Sequence, residues 1–277
     1  MTDSKYVATI GMVVIAVVAF AVGIFASPLV FPPAEEEDTV WARVTEAGKI
    51  IVGTEPGWPP YEFKDEQGNI IGFEIEVMEM IADELDLDVE WRDMGFDAII
   101  PAVQSMEIDL GVSGFSVTPE RLEVVQFTMP HSITEGQVIM LQSRANDLGI
   151  TELESLANLT DLSLTCGTQV ATIQGEELDE KAPGVSRTYE DFLLALDDMK
   201  RGTIDCVYAE TPITSNWILE AEQEAEEPIV VIFRRPYWPV AFVAHKDAHI
   251  LVAKINGALA KIISEGQLDE LKQTWKC

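Results

Sequence analysis

The chain is predicted to fold as an α/β protein, because β-type segments alternate with helical segments through most of its length after residue 48. Its 277 residues suffice for one large domain or two of ordinary size. Hydrophobic residues make up 47% of the chain, as expected of a globular protein with a sizeable core rather than of a disordered one.

The first series of elements begins at residue 49. Its best-marked helix spans 73–85, where apolar residues recur at spacings of three and four and so share one face. The other elements predicted in this series are the strands 49–54, 89–92 and 110–112 and the helix 97–105.

A loop of small and hydroxyl residues, 113–117, leads into a further helix. Thr118 is a suitable N-cap and Pro119 suits the first helical position, which places Arg121 in the first turn. Carbonyl and hydroxyl oxygens of such a loop can hold an ammonium group, and an arginine can hold a carboxylate. The segment therefore favours the capture of a small zwitterion.

A second α/β series follows residue 136. Thr151 and Glu154 have the spacing of a capping box and predict a short helix, and the acidic run 220–227 is interpreted as a solvated helix end. The remaining predictions are the strands 137–142, 162–166, 186–189, 206–209, 229–233 and 240–244 and the helices 170–181, 190–200, 211–222, 248–264 and 267–276.

The formal charge of −30 argues against a nucleic-acid partner, because no basic patch is present to displace counterions. The acidity suits solubility in salt or near a charged surface, and it can also attract cations. The three cysteines form no CxxC or Cys/His cluster. His245 and His249 have helical spacing but no evident third ligand, so neither a metal site nor a cofactor is predicted.

The amino-terminal segment is predicted to enter the membrane. Residues 7–31 carry no charge, and 7–26 alone would span a bilayer at about 30 Å as a helix. Lys5 precedes this run and acids follow it, which leaves the amino terminus in the cytoplasm. We therefore expect a signal-anchor helix with a short cytoplasmic end at 1–33 and an acidic tether at 34–40. A cleaved signal peptide, giving a secreted or periplasmic protein, is the alternative.

Several motifs, in order and spacing, resemble the extracellular solute-binding proteins of family 3, the amino-acid receptors of ABC importers. The resemblance covers 49–275. Its motifs are GTEPGWPPYEF at 53–63, GFEIEVMEMIADEL at 72–85, MGFDAIIPAVQSMEIDLGVSGFSVTPER at 94–121, CGTQ at 166–169, YAETP at 208–212 and GQLDELKQTW at 266–275.

This resemblance implies a two-lobed, periplasmic-binding-protein-like fold of type II, in which two α/β lobes close on a ligand about two crossover strands. Carried over, the first lobe comprises 41–131 with 237–277, and the second comprises 137–232. The hinges then fall at about 132–136 and 233–236.

The same resemblance implies an extracytoplasmic receptor, anchored at the outer face of the membrane, that delivers a polar amino acid to an ABC-transporter permease. A monomer without enzymatic activity is expected. A ligand-sensing module for a membrane partner is an alternative use of the fold.

Five residues resemble the family's contacts to the amino-acid backbone. Arg121 matches the arginine that forks onto the ligand α-carboxylate. The backbone N–H groups of Thr168 and Gln169 would add donors, because they are expected to precede a helix whose amino terminus favours anions. The Gly114 carbonyl and the Ser116 hydroxyl match acceptors for the α-ammonium.

Other residues resemble the contacts to the ligand side chain. Trp58 and Phe96 match aromatic positions that sandwich it, and the Gly/Pro-rich loop around Trp58 favours an exposed ring. Glu55 matches an acid that reads the far end of a basic side chain, and Ser113 and Gln169 also resemble the branch that binds lysine, arginine or histidine. A basic amino acid is therefore the favoured ligand, followed by glutamine or another polar amino acid.

Glu210 departs from the pattern, because the family normally has an aspartate there to pair with the α-ammonium. The longer side chain keeps the charge but shifts the contact. It also leaves open a cyclohexadienyl-dehydratase-like enzyme, since some relatives of this fold use a cleft glutamate as general acid.

Cys166 and Cys206 are expected on neighbouring strands of the second lobe. Two buried small residues are the favoured interpretation. A disulfide outside the cell is the alternative, although adjacent parallel strands seldom offer the right geometry.

Overall fold

The computed structural model describes residues 39–277, which contain two five-stranded sheets with helices packed against them. The strands are β1 Lys49–Thr54, β2 Gly57–Trp58, β3 Glu62–Lys64, β4 Ile70–Ile71, β5 Asp88–Asp93, β6 Leu110–Gly111, β7 Gln126–Phe127, β8 Ser132–Leu141, β9 Cys166–Gln169, β10 Ser186–Tyr189, β11 Cys206–Glu210, β12 Ile229–Val240 and β13 Val243–Ala244. The helices are α1 Thr39–Ala47, α2 Phe73–Glu84, α3 Phe96–Gln104, α4 Pro119–Val124, α5 Gln142–Leu148, α6 Ala157–Asp161, α7 Ile173–Lys181, α8 Phe192–Lys200, α9 Ile213–Gln223, α10 His249–Ser264 and α11 Gln267–Trp275. The predicted α/β class is confirmed.

The first sheet has the strand order β5-β1-β6-β13-β7, in which the neighbouring strands β5, β1 and β6 are parallel. A small antiparallel sheet, β2-β3-β4, stands beside it. The apolar face predicted for α2 is buried, since Ile75, Met78 and Ile81 are each no more than 1% exposed. These elements, with α10 and α11, form what we call the first lobe.

The second sheet has the strand order β10-β9-β11-β8-β12. Strands β9, β10 and β11 run parallel, whereas β8 pairs antiparallel with both β11 and β12. We call this sheet, with its helices α5 to α9, the second lobe.

The two long strands β8 and β12 connect the lobes. They pair from Leu141 opposite Ile229 to Ser132 opposite Val240, with register shifts after Val231 and Arg235. At the far end, Val240 bridges to Ser116 of the first lobe. Both predicted hinges lie within these strands, while the residue limits of the lobes stay a prediction.

The helix predicted from the Thr151 and Glu154 capping box is wrong. The chain forms α5 immediately after β8 instead, and 151–156 is irregular. The Leu153 N–H donates to the Ile232 carbonyl at 2.6 Å, and the Leu153 side chain is buried. This hydrogen bond and the burial of Leu153 hold the segment against β12 in a conformation that is not helical.

Two further boundaries differ from expectation for local reasons. Strand β9 begins at Cys166 rather than at 162, because Ser163 adopts a φ of 55° that a strand cannot contain. Helix α7 begins at Ile173 rather than at 170, because the Thr172 side chain caps it by accepting the Gly175 N–H.

The buried cysteines lie where they were predicted. Cys166 and Cys206 stand opposite each other on the parallel strands β9 and β11, both fully buried and both as free thiols. Burial, followed by the neighbouring Cys166, raises the pKa of the Cys206 thiol well above its ordinary value.

The predicted membrane segment 1–33 lies outside the described residues, as does most of the predicted tether. Helix α1 begins at Thr39, within the range assigned to the tether. Among residues 39–277, no helix combines the length and apolar character needed to cross a membrane.

Candidate ligand-binding site

A cavity lies between the two lobes and is lined by residues of both. Eight of the ten predicted ligand residues line it: Glu55, Trp58, Phe96, Ser113, Gly114, Arg121, Gln169 and Glu210. Five further residues, none of them predicted, complete the lining: Glu62, Thr172, Ile173, Gln174 and Phe192.

Gly114 shapes the floor of the cavity. Its φ of +58° suits glycine, and its N–H donates to the buried Glu74 carboxylate at 2.9 Å. A Cβ at this position would lie 2.0 Å from the Cζ3 atom of Trp58, so the indole ring occupies space that only glycine leaves open. The ring also meets Tyr61 edge-on at a centroid distance of 5.0 Å.

The expectation that the Trp58 ring is exposed is therefore wrong, since Trp58 is only 8% exposed. Packing against Gly114 and Tyr61 outweighs the openness of the surrounding Gly/Pro loop. Trp58 nevertheless remains part of the cavity lining.

Arg121 is held by backbone groups from both lobes. The predicted cap is confirmed, because the Thr118 hydroxyl accepts the Arg121 N–H at 3.2 Å. The guanidinium donates from Nη1 to the Ser116 carbonyl at 3.0 Å and from Nη2 to the Ala171 carbonyl of the second lobe at 3.1 Å. Its charge is thus oriented by two neutral oxygens.

Aromatic rings also support this guanidinium. Phe96 and Phe115 stack at 4.8 Å, and the Arg121 Cζ atom lies 5.6 Å from each ring centroid. Burial lowers the pKa of Arg121, and the Glu210 carboxylate opposes that shift. A guanidinium keeps its proton under such conditions, so Arg121 contributes a fixed positive charge.

Glu210 ends strand β11 and is buried among three donors. Its carboxylate accepts the Thr134 hydroxyl at 2.6 Å, the Gln174 amide at 2.7 Å and the Ser116 hydroxyl at 3.1 Å. Burial raises the pKa of Glu210, whereas these hydrogen bonds and the Arg121 charge act to lower it. Both carboxylate oxygens are engaged as acceptors.

Glu55 joins the lobes at another part of the cavity. Its two oxygens accept the Gln169 amide at 2.8 and 2.7 Å, and that amide also donates to the Glu190 carbonyl at 2.9 Å. Burial raises the pKa of Glu55 to about 7; the Gln169 hydrogen bond opposes this, and the charges of Asp191 and Asp97 add to it. Glu55 can therefore change charge near neutral pH.

Two predicted residues do not line the cavity. Ser116 contributes through Glu210, while the Thr168 hydroxyl lies 3.3 Å from that of Thr172. Thr168 and Gln169 precede a helix as expected, but they end strand β9, and helix α7 begins only at Ile173. Thr172 is the N-cap residue of α7. Threonine is a favoured N-cap residue, so the sequence carried a signal for this position.

The lining combines three carboxyl groups, one guanidinium and aromatic walls. Such a set suits a small ligand that carries one negative and more than one positive charge. Within residues 39–277, no group of three or more His, Cys, Asp or Glu side chains is placed to hold a metal ion.

Comparison with known proteins decides the family. The sequence model of the bacterial extracellular solute-binding proteins, family 3, matches residues 50–276. The chain belongs to this family. The family description places its members outside the cell, in agreement with the predicted extracytoplasmic location.

Individual proteins of known type are similar to this chain over most of its length. The arginine-binding extracellular protein ArtP of Bacillus subtilis is 28% identical over 236 residues, which cover 83% of this chain and 88% of ArtP. An ancestral arginine-binding protein solved with arginine has 27% identity and a TM-score of 0.74 over 82% of this chain and 98% of that one.

A third similar structure is the ancestral amino-acid-binding protein AncCDT-1, described as a precursor of cyclohexadienyl dehydratase. It has 25% identity and a TM-score of 0.75 over 86% of this chain and 99% of that one. The two-lobed, periplasmic-binding-protein-like fold is thereby confirmed.

Replacing Gly114→Ala should lower the free energy of unfolding by about 1–3 kcal/mol, because the new Cβ meets the Trp58 ring and the backbone needs a positive φ. Urea denaturation measures the change. Gly257→Ala is the matched control: Gly257 lies in α10 with no atom near its Cβ position, so alanine should stabilise by about 0.5–1 kcal/mol. Equal effects at both positions would contradict the packing described for Trp58.

Proposed function

We propose that this chain is the extracytoplasmic receptor of an amino-acid ABC importer and that it clamps a basic amino acid between its lobes. The observation that carries the proposal is the charge pattern of the cavity. Arg121 supplies one fixed positive charge, whereas Glu55 and Glu210 supply carboxylates on the same lining. A zwitterion with a cationic side chain complements that pattern.

In this proposal, the ligand α-carboxylate binds Arg121, whose guanidinium is oriented but not paired with a protein acid. The α-ammonium binds Glu210, which Thr134 and Ser116 already hold in place. The ligand side chain lies against the aromatic rings and directs its cationic end toward Glu55.

The relatives support this ligand class, since both ArtP and the ancestral protein solved with arginine are named for arginine. Glutamine or another polar amino acid remains the second choice. The same proposal includes three further points. The partner is the membrane permease of the importer, the segment 1–33 anchors the protein to the membrane, and the protein is a monomer. Transport, rather than sensing for a membrane partner, is the use we propose.

Arg121→Ala should weaken arginine binding on the order of 30-fold or more, because a buried ligand carboxylate would lose its charged partner. Isothermal titration calorimetry measures the affinity. Arg121→Lys is the control that keeps the charge but loses the planar fork, so it should bind more tightly than the alanine variant. An alanine variant within threefold of wild type would remove Arg121 from the site.

Arginine affinity should rise by up to about tenfold between pH 6 and pH 8. The pKa of Glu55 is about 7, and a cationic ligand favours its ionised form, so the complex holds fewer protons than the free protein. The carboxyl groups of Asp97, Asp191 and Glu62 also interact electrostatically with Glu55. They are present in every variant compared, so their contribution is the same in each.

Calorimetry across this pH range compares arginine with glutamine. Because the side chain of glutamine is neutral, its affinity should rise less with pH. Glu55→Gln should abolish this difference in pH dependence between the two ligands. If the variant keeps the steeper rise for arginine, Glu55 is not the group that titrates.

A dehydratase on the same fold is the second candidate. It is favoured by the burial of Glu210, which raises the pKa of that carboxyl, and by the likeness to a dehydratase precursor. Against it, the Nε2–H₂ group of Gln174 donates a hydrogen bond to one carboxylate oxygen of Glu210, which engages that oxygen as an acceptor. A general acid needs its proton directed at the substrate instead.

Incubation of the purified protein with prephenate or arogenate should therefore give no aromatic product above background. Formation of product is followed by ultraviolet absorbance, with Glu210→Gln run in parallel. Multiple turnovers that disappear in the Glu210→Gln variant would make the protein an enzyme and overturn the receptor proposal.

A further inference from the structure

A buried histidine at the start of the connecting ribbon is not part of the cavity lining. His131 directly precedes β8, and its backbone N–H donates to the carbonyl of Val240 at the end of β12 at 3.0 Å. The residue is only 3% exposed. Burial of a polar ring is costly unless its hydrogen bonds are satisfied, so the partners of the imidazole indicate its role.

The imidazole has one hydrogen bond and two aromatic neighbours. Its Nε2 atom lies 2.7 Å from Oε1 of Glu74, and its ring centroid lies 4.5 Å from that of Phe242 and 6.1 Å from that of Phe73. The Nδ1 atom is buried and has no hydrogen-bond partner in the described part of the chain. A proton on Nδ1 would be an unmatched donor, whereas a proton on Nε2 reaches a carboxylate. The ring proton therefore belongs on Nε2, from which it is donated to Glu74.

Glu74 connects this imidazole to the residues that shape the cavity. Its carboxylate is fully buried in the first turn of α2, and its Oε2 atom accepts the Gly114 N–H at 2.9 Å. His131, Glu74 and Gly114 thus form a chain of two hydrogen bonds. This chain links the connecting ribbon to residues 113–117, which we call the ligand loop.

The two halves of the ligand loop are held in different ways. In the second half, the Val117 N–H donates to the Pro239 carbonyl at 2.9 Å, and the Phe115 carbonyl accepts the Ala241 N–H at 3.1 Å. In the first half, the N–H of Gly114 donates to a side-chain carboxylate instead. Because glycine is conformationally permissive, the position of that carboxylate helps to select the φ of +58° at this residue.

We propose that His131 is a positioning residue for ligand binding, which acts through Glu74 to hold the Gly114 peptide in the conformation that receives the amino acid. This inference rests on the proposed function. The ligand loop carries two expected acceptors of the α-ammonium, the Gly114 carbonyl and the Ser116 hydroxyl. A loop that is already held in its bound conformation loses less entropy on binding. Loss of the imidazole should therefore lower the affinity without removing any ligand contact.

Two substitutions separate the hydrogen bond from the packing. His131→Leu keeps an apolar side chain between the aromatic rings but removes the donor, whereas His131→Gln places an amide N–H near the position of Nε2. Calorimetry on the purified full-length protein compares arginine with 5-guanidinopentanoate, which is arginine without its α-amino group. His131→Leu should weaken arginine binding about tenfold and binding of the analogue less than threefold. His131→Gln should bind both ligands within about threefold of wild type.

His245→Leu is the matched control. The Nδ1 atom of His245 accepts the Asp247 N–H at 3.2 Å, and His245 does not line the cavity, so both affinities should stay unchanged. Equal losses for the two ligands in His131→Leu, an unchanged arginine affinity, or no recovery in His131→Gln would overturn the assignment, because each would reduce His131 to a packing role.

Measurements without ligand separate this inference from the proposed function. Amide hydrogen exchange followed by NMR should be at least about tenfold faster at Gly114 in His131→Leu than in wild type, and His131→Gln should restore the protection. Long-range ¹H–¹⁵N correlation should show the wild-type ring protonated at Nε2 and not at Nδ1. This second measurement needs no variant and tests the inference even if His131→Leu does not fold.

The outcomes for the two proposals are distinguishable. If arginine does not bind but Gly114 exchange and the imidazole proton behave as stated, the basic-ligand proposal fails and His131 positions the loop for another amino acid. If the ring proton lies on Nδ1, or if Gly114 exchanges at the same rate in all three proteins, this inference fails alone.

Discussion

The antiparallel pairing of β8 and β12 is the constraint on which the site depends. These strands carry the chain between the two sheets, so the lobes stay joined along a single ribbon. The same ribbon places Thr134 against Glu210, and the Glu135 carbonyl accepts the Thr211 N–H at 2.8 Å. The segment that presents Glu210 is therefore aligned by the connection itself, which couples the acid to the relative position of the lobes.

Neutral groups hold the charges of the cavity. Arg121 is oriented by two backbone carbonyls, Glu55 by an amide, and Glu210 by an amide and two hydroxyls. Among the described residues, Arg121 forms no ion pair within 4.0 Å. Fixed dipoles thus orient each charge without cancelling it, which leaves the charge available to a ligand and spares reorganisation on binding.

The sequence motifs predicted most of the cavity lining because the loops that follow strands converge at one edge of each sheet. They did not reveal Thr134 or Gln174, whose contact with Glu210 depends on how distant segments pack. Glu62 was equally hidden, since an acid inside a short strand normally faces solvent. The failed capping box at Thr151 has the same cause: the tertiary attachment of Leu153 overrides a local signal.

The paired thiols of β9 and β11 bear on how such a protein matures outside the cytoplasm. The thiolate is the form that oxidants attack, and the raised pKa of Cys206 keeps its proton in place. Full burial also denies access to both sulfur atoms. Assembly of the second sheet therefore needs no oxidative folding step, and the native state resists sulfenic acid formation even in an oxidising environment.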